Sequence, residues 1–226
     1  MSIKSNIEAI LGEIPKDVKL LAVSKTKSIE EMEEAYEFGI RDFGENKVQE
    51  LKSKIENFHS DVNWHLIGNL QSNKVKYVVG KVFLIHSLSS IKLLEVIEKE
   101  YGKKNLVANV LIQINIGREE SKTGILVEEL EELVAAVEQC EHVKVKGIMT
   151  IIPKGDEDSN RSYFRKVKSI FDSLKDRKFK NITMETLSMG MTHDYMDAIK
   201  EGSNLIRVGE GIFGKRNYNL GGMENE

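Results

Sequence analysis

The stretch LSMGMTHDYMDAIKEGSNLIRVGEGIFG, residues 187–214, contains two turns rich in glycine and hydroxyl residues, each of which follows an apolar run. The turns are Ser188-Met189-Gly190-Met191-Thr192, after the run 183–187, and Gly209-Glu210-Gly211, after the run 204–208. Residues of these types let backbone N–H groups approach an anion, so each turn predicts a contact with a phosphate group. Between the turns, residues 195–201 have helical spacing, and Gly202 ends the predicted helix.

The order strand, turn, helix, strand, turn is typical of the end of a (β/α)8 barrel, where the loops after strands seven and eight frequently bind phosphate. The earlier chain alternates in the same way and begins with a helical pattern over residues 1–11. Strands are predicted at 18–23, 40–43, 62–67, 82–86, 107–114, 143–149, 183–187 and 204–208, and helices include 71–79, 126–140 and 156–176. The sequence therefore predicts an α/β fold, a single (β/α)8 TIM barrel with an extra N-terminal helix, with residues 1–226 as one domain.

The composition argues against several classes of protein. A formal net charge of −3, from 33 basic and 36 acidic residues, argues against a nucleic-acid partner. The single cysteine, Cys140, cannot form an intrachain disulfide and is typical of a reducing compartment. The N-terminus lacks a signal-peptide core, no apolar run reaches the roughly 18 residues of a membrane span, and no cluster of side chains has metal-ligand spacing. We therefore expect a cytoplasmic protein with no membrane or metal partner.

Lys25 is the strongest candidate for covalent chemistry. Alternation along the first strand places Leu21, Val23 and Lys25 on the same, core-facing side. A lysine whose pKa is lowered there by desolvation or by a cationic neighbour is a better nucleophile toward a carbonyl group. The alternative is a surface lysine just beyond the end of a strand. A lysine amine and a phosphate site on one barrel rim indicate a phosphorylated aldehyde, of which pyridoxal 5′-phosphate is the obvious example.

Other polar residues on or near strands have two interpretations each. Alternation directs Arg207 inward, where its permanent charge needs a partner, and a structural ion pair with Glu185 is the alternative to a ligand contact. Asn46, after the second strand, can hydrogen-bond a cofactor ring oxygen or its own loop backbone. His65 and His86 lie in apolar strands, which favours hydrogen-bonded core residues over metal ligands.

Seven motifs along the chain resemble those of one family, the pyridoxal phosphate homeostasis proteins. The motifs are LLAVSKTK (20–27), FGENKVQE (43–50), WHLIGNLQSNK (64–74), SKTG (121–124), GIM (147–149), LSMGM (187–191) and RVGEGIFG (207–214). They occur in the order of the family and cover nearly the whole chain. The family is similar in fold to the N-terminal barrel of bacterial alanine racemase and of ornithine decarboxylase, known as fold type III.

The resemblance implies a set of cofactor-binding residues. Lys25 would form the internal aldimine with pyridoxal phosphate, Arg207 would face the pyridine nitrogen, and Asn46 would lie beside the ring. Ser188, Thr192, Gly209 and Glu210, in the two turns, would help hold the phosphate, and Gly190 is also expected to bind the cofactor. Many members have tyrosine where Lys47 stands and threonine with alanine in place of Glu210-Gly211. A backbone N–H at Glu210 can still serve the phosphate, but a hydroxyl contact there is lost.

What the resemblance implies about function is a carrier or regulator of vitamin B6 supply and amino-acid pools, without established catalysis and hence without catalytic residues. The expected partners are pyridoxal phosphate and the apo-enzymes that depend on it, and the expected assembly is a monomer or a weak homodimer. Two alternatives remain open from the sequence. One is a fold type III amino-acid racemase that uses the same cofactor, and the other is a Schiff-base aldolase or isomerase in which Lys25 acts on a phosphorylated sugar.

Overall fold

The computed structural model describes residues 2–215, in which eight parallel strands follow the chain order around a closed barrel. The strands are β1 (Lys19–Val23), β2 (Asp42–Glu45), β3 (Asn63–Leu66), β4 (Leu84–Leu88), β5 (Ala108–Ile114), β6 (Val143–Thr150), β7 (Ile182–Ser188) and β8 (Leu205–Val208). The helices are α1 (Ile3–Glu13), α2 (Ile29–Glu37), α3 (Val48–Asn57), α4 (Ile91–Gly102), α5 (Leu130–Glu138), α6 (Glu157–Lys175), α7 (Tyr195–Lys200) and α8 (Glu210–Phe213). The predicted (β/α)8 barrel with an additional N-terminal helix is confirmed.

Two predicted helices differ in kind from the expectation. The segment predicted over 71–79 is a 3₁₀ helix at Ser72–Tyr77, and the one predicted over 126–140 opens with a 3₁₀ turn at Val127–Glu129 before α5 begins. In the first segment, the buried residues Val75 and Val78 are three positions apart. That spacing fits the three-residue turn of a 3₁₀ helix as well as one face of an α-helix, so apolar spacing alone does not separate the two.

Several strand boundaries also shift. β2 and β4 each begin two residues later than predicted. The sequence predicts the apolar residues Ile40 and Val82 as the first strand residues, but they pack on the core from the preceding loops. β7 continues one residue further than predicted and includes Ser188. This last shift matters for the site, because it moves Ser188 from a turn into a strand.

Side-chain alternation along the strands creates two cores. Outward-facing residues such as Leu20, Ala22 and Phe43 belong to a large apolar cluster between the strands and the helices. Inside the barrel, the buried apolar cluster is small and comprises Leu84, Leu111 and Met149. Because burying each large apolar side chain contributes about 1.5–3 kcal/mol, the outer layer supplies most of the stability. The interior is therefore free to hold polar groups.

The N-terminal helix α1 supports the end of the barrel that carries the last turn. Ser2 caps it by accepting a hydrogen bond from the Ser5 backbone N–H at 3.1 Å. Ile7 and Ile10 are buried, and the Asn6 side-chain amide donates to the Ile212 carbonyl oxygen of α8 at 2.8 Å. The contact fixes α8, and with it the turn before α8, against the rest of the fold.

Three findings concern other kinds of site and are limited to residues 2–215. No helix there combines the length and apolar character that crossing a membrane requires. No group of three or more His, Cys, Asp or Glu side chains in that range is arranged to hold a metal ion. Burial, and next the charge of Glu98, raises the pKa of the Cys140 thiol to about 12, which leaves it a poor nucleophile at neutral pH.

Candidate functional site

The carboxyl ends of the strands surround an open cavity of about 770 Å³. Its volume lies within the range of small-molecule sites, roughly 300–1,000 Å³. Among the described residues that line it, five carry an amine, guanidinium or imidazole and one carries a carboxylate: Lys25, Lys27, His193, Arg207 and Lys215, and Glu210. This excess of basic groups favours an anionic ligand.

Lys25 lies in the turn that follows β1, half-buried and on the wall of the cavity. The turn is unusual, because Thr26 has a positive φ of 65° and its backbone N–H donates to Glu50 Oε1 at 2.6 Å. Before it, the Ser24 backbone N–H donates to the Gly44 carbonyl oxygen at 3.0 Å. Both neighbours of Lys25 are therefore anchored, and the lysine side chain projects from a fixed stretch of backbone.

A buried ion cluster anchors this turn from below. Lys54 of α3 donates to Glu45 Oε1 at 2.8 Å, to Glu50 Oε1 at 2.7 Å and to the Ser24 carbonyl oxygen at 2.7 Å. The Ser24 hydroxyl donates to the same Glu45 oxygen at 2.6 Å. Burial raises the pKa of Glu45, and the charge and hydrogen bond of Lys54 oppose that shift. The cluster joins β1, β2 and α3 at the base of the Lys25 turn.

Arg207 of β8 is 4% exposed, with its guanidinium at the floor of the cavity. Its Nη1 donates to Ser188 Oγ at 2.8 Å, and its Nη2 donates to the Thr150 carbonyl oxygen at 2.8 Å. Burial lowers the pKa of Arg207 to about 10, and the charge of Asp194 acts in the opposite direction, so the side chain stays charged at neutral pH. Glu185, the alternative ion-pair partner, instead contacts Lys146 at 3.2 Å.

The two turns predicted to bind phosphate meet at one side of the cavity. The Gly211 backbone N–H donates to Thr192 Oγ1 at 3.2 Å, and both Thr192 and Gly209 line the cavity. Glu210 also lines it, with an exposed side chain whose Oε2 lies 4.0 Å from His193 Nε2. The Thr192 hydroxyl, having accepted a hydrogen bond, still has a proton to donate to a ligand.

Ser188 and Gly190 are not among the residues that line the cavity. Ser188 is the last residue of β7, which ends one residue later than predicted, and its side chain is fully buried beneath the cavity. Gly190 has a φ of 94°, and a Cβ atom there would lie 2.7 Å from the Cβ of Ala198. Its carbonyl oxygen accepts from the Arg207 backbone N–H at 3.0 Å. Both residues therefore shape the surroundings of Arg207 and do not face the cavity themselves.

Asn46 lines the opposite wall, directly after β2. The backbone of this turn lies against Gly68 after β3, where an added Cβ atom would come within 2.7 Å of Asn46 Cα. Only glycine fits there, which explains why a glycine follows the third strand. The close approach brings the ends of β2 and β3 together and holds the Asn46 side chain at the cavity.

Sequence reasoning missed several residues of the site. Gln113 lies in β5 between apolar residues, lines the cavity and donates through Nε2 to the Thr123 carbonyl oxygen at 2.9 Å. Its only signal was one polar position in an apolar strand. Lys54 gave no signal, because a lysine on an amphipathic helix usually faces solvent, whereas here it is 6% exposed.

Comparisons with known proteins agree with this geometry. The model of the alanine racemase N-terminal domain family matches residues 1–217. A pyridoxal phosphate homeostasis protein of Aquifex aeolicus is 46% identical over 203 residues, which are 88% of this chain and 88% of the relative.

Solved structures of two other proteins have a similar fold. PipY of Synechococcus elongatus PCC7942, in a structure with pyridoxal phosphate bound, superposes with a TM-score of 0.85 at 30% identity and covers 94% of this chain and 100% of its own. Alanine racemase of Clostridium difficile 630 has a TM-score of 0.77 at 16% identity and covers 96% of this chain but 57% of its own. At that identity the second likeness concerns the fold alone.

Proposed function

The chain belongs to the pyridoxal phosphate homeostasis proteins, within the alanine racemase N-terminal domain family, and we propose on that premise that its cavity holds pyridoxal 5′-phosphate bonded covalently to Lys25. The observation that carries the proposal is the convergence of a lysine amine, a buried arginine and a hydroxyl-bearing turn on one cavity. A phosphorylated aldehyde with an aromatic ring has one group for each of them: the aldehyde for the amine, the ring for the arginine and the phosphate for the turn.

The residues present fit this cofactor. The excess of basic side chains suits a phosphate dianion, and the open mouth admits the cofactor to the half-buried Lys25. The two turns approach each other closely, since a Cβ atom on Gly211 would lie 3.3 Å from Thr192 Cγ2. Backbone N–H groups in such turns suit phosphate oxygens.

Each cavity residue then has one assignment. Thr192, Gly209 and the backbone of Glu210 would hold the phosphate, and the Glu210 carboxylate would stay outside, toward His193. Arg207 and Asn46 line the cavity, where Arg207 would face the pyridine nitrogen and Asn46 would lie beside the ring. The sequence predicts direct cofactor contacts for Ser188 and Gly190. In this proposal they support the arrangement from beneath the cavity instead.

We assign the protein a carrier or regulatory function without catalytic turnover. When bound, the cofactor supplies an electron-withdrawing ring, and that property is strongest when the ring nitrogen is protonated. Arg207 stays charged at neutral pH and disfavours a proton there. The finer parts of the proposal are delivery of the cofactor to apo-enzymes, a cytoplasmic location, a single domain and a monomeric or weakly dimeric state.

Cofactor retention tests the proposal. Purified protein is mixed with pyridoxal phosphate, dialysed and examined for a visible absorption band before and after borohydride reduction. Pyridoxal, which lacks the phosphate, is the matched control ligand. We expect a stoichiometric band with pyridoxal phosphate and none with pyridoxal. Equal retention of both ligands would contradict the phosphate assignment.

Turnover is tested on the same loaded protein. Single-enantiomer amino acids are incubated with it, and their chirality is followed over hours, with Lys25→Ala as the blank. We expect no lysine-dependent interconversion. Conversion at ordinary enzyme rates, on the order of 1 per second or more, would favour the racemase alternative.

A further inference from the structure

Five polar side chains form an unbroken line of hydrogen bonds through the barrel interior. Arg207 Nη1 contacts Ser188 Oγ at 2.8 Å, Ser188 Oγ contacts His86 Nδ1 at 3.1 Å, and His86 Nε2 contacts His65 Nδ1 at 2.9 Å. His65 Nε2 then contacts Asp42 Oδ1 at 3.0 Å. The line starts at the floor of the cavity and ends at the first residue of β2, on the opposite face of the barrel.

The line connects a buried cation to a carboxylate that reaches solvent. Ser188 and His86 are fully buried, and His65 is 1% exposed. Asp42 lies at the barrel face and is only half-buried. Burial raises the pKa of Asp42, but hydrogen bonds from His65 and Asn63 and the charge of Lys19 bring it below its ordinary value. Asp42 is therefore ionised at neutral pH.

The number of donors and acceptors fixes the direction of every bond in the line. Arg207 can only donate, so the Ser188 oxygen accepts from it. The hydroxyl proton of the fully buried Ser188 then needs an acceptor, and among the described contacts His86 Nδ1 is the one in reach. Nδ1 of His86 is then an acceptor, and its ring proton is on Nε2, which donates to His65.

The last contact follows from the same reasoning. His65 accepts at Nδ1, so its own proton is on Nε2 and donates to the Asp42 carboxylate. The opposite orientation needs a doubly protonated His65, because an ionised Asp42 only accepts. It would also leave the Ser188 hydroxyl proton without an acceptor among the described contacts.

We propose that Ser188, His86 and His65 form a one-directional hydrogen-bond relay that fixes the Arg207 guanidinium and links its positive charge to the carboxylate of Asp42. Hydrogen bonds in such a chain polarise one another in the same direction. The three residues are positioning residues, since none of them lines the cavity. Placement of Arg207 against a cofactor ring rests on the proposed function, whereas the relay itself does not.

The relay accounts for two otherwise costly features of the interior. A buried cation is strongly unfavourable unless it is paired and hydrogen-bonded, and although the charge of Asp194 favours the charged form of Arg207, the described residues accept hydrogen bonds from its guanidinium only at Ser188 and at the Thr150 carbonyl oxygen. Burial, together with the charge of Arg207, holds the pKa of His86 well below its usual range. A neutral His86 is what the direction of the relay requires.

The first test uses cofactor-free protein labelled with ¹⁵N in its histidine rings. We expect the rings of both His65 and His86 to carry their proton on Nε2, with Nδ1 of each ring accepting a hydrogen bond. Ser188→Ala should shift the His86 Nδ1 resonance toward that of a nitrogen that accepts no bond. A wild-type His86 that is protonated on Nδ1, or doubly protonated, would overturn the proposal.

Transmission along the relay is tested from its far end. Asp42→Asn removes the charge and should shift the ring resonances of both His65 and His86. Glu33→Gln is the matched control, because Glu33 accepts from His59 Nε2 at 2.8 Å outside the relay. It should change only the His59 resonances. If Asp42→Asn leaves His86 unchanged, the residues are separate pairs and the relay is wrong.

The second test uses protein loaded with pyridoxal phosphate and separates positioning from a merely structural effect. Ser188→Ala should shift the absorption maximum of the bound cofactor while the covalent label survives, and Ser188→Thr, which keeps the hydroxyl, should restore it. An unshifted maximum in Ser188→Ala would contradict the positioning of Arg207. If wild-type protein takes no label at all, the proposed function fails, and the histidine spectra still decide the relay.

Discussion

Lys25 and Arg207 bring positive charge into the same cavity, but the fold holds them in opposite ways. Lys25 lies half-buried in a turn beyond the end of β1, and an ion cluster built on Lys54 and Glu45 fixes the backbone of that turn. Arg207 is 4% exposed within β8, and a neutral hydroxyl and a carbonyl oxygen fix its side chain directly.

The difference matches what each group has to do in our proposal. An amine that forms and breaks a covalent bond needs a defined position at the ligand, and the fold anchors the backbone on both sides of Lys25 and places its side chain on the cavity wall. A guanidinium that only presents a charge is useful when its position is fixed. The strand thus provides a fixed charge at Arg207, and the turn on the same rim provides a reactive amine at Lys25.

Removing the amine should have the largest effect. Lys25→Ala should abolish the covalent cofactor label completely, because in our proposal the Lys25 amine forms the bond, while the unfolding transition stays near that of the wild type. The label is measured by mass after borohydride reduction and denaturation. Lys27→Met, a change two residues away on the same wall, should keep its label at saturating cofactor. Full labelling of Lys25→Ala would exclude the assignment.

The next effect concerns the support of the Lys25 turn. Lys54→Met should lower the free energy of unfolding by about 3–5 kcal/mol, because it leaves the buried Glu45 without its partner. Denaturant unfolding measures it. Lys52→Met on the same helix removes an exposed pair at 3.9 Å and should cost less than about 1 kcal/mol.

A double variant sharpens this result. Adding Glu45→Gln to Lys54→Met removes the stranded charge and should recover part of the loss. If Lys54→Met and Lys52→Met destabilise the protein equally, the ion cluster does not anchor the turn.

On the Arg207 side, Gly190 should show an intermediate effect. Gly190→Ala should destabilise by about 1–3 kcal/mol, because the residue has a φ of 94° and its Cβ would press on Ala198. Gly12→Ala in α1 is the matched control, since nothing lies within 4 Å of its Cβ position. That change should be neutral or stabilise by up to about 1 kcal/mol. Equal costs for both changes would show that the close packing at Gly190 is unimportant.

Part of the site could be predicted from the sequence alone. Period-two alternation placed Lys25 and Arg207 on the inner side of their strands, and both line the cavity. The same period separated the apolar outer layer from the interior. Such patterns succeed because each strand fixes the direction of its own side chains, whatever its neighbours are.

Partners across the barrel could not be predicted in this way. His86 and Ser188 are 102 residues apart in the chain, and their contact depends on where two strands bring their ends inside the closed barrel. The contact forms because Ser188 belongs to β7, which ends one residue later than predicted, and its side chain therefore points into the barrel. Lys54 was missed for a related reason, since helical spacing gives no sign that a lysine reaches back beneath a strand end.

The smallest effect should appear in the dependence of stability on pH. His65 brings the pKa of Asp42 below its ordinary value near 3.8, against the upward effect of burial. A lowered carboxyl pKa stabilises the fold above the unfolded pKa, and this contribution is lost as pH falls through the folded value. Because Asp42 is partly exposed, we expect less than about 1 kcal/mol.

The Asp42→Asn variant isolates this contribution. Unfolding free energies of the wild type and Asp42→Asn, measured from pH 6 down to pH 3, should converge as the pH falls toward and below the value near 3.8. A constant difference over that range would mean that Asp42 has the same pKa in the folded and unfolded chain, so that the hydrogen bond from His65 does not stabilise its charge.

The site of covalent attachment is the most direct test of the central claim. Wild-type protein is loaded with pyridoxal phosphate, reduced with borohydride, digested and mapped by mass spectrometry. We predict that the label is confined to the peptide that contains Lys25. A label on Lys27 or Lys215, or one spread over several lysines, would contradict the account, because the cavity would then bind the cofactor without directing it to the anchored turn.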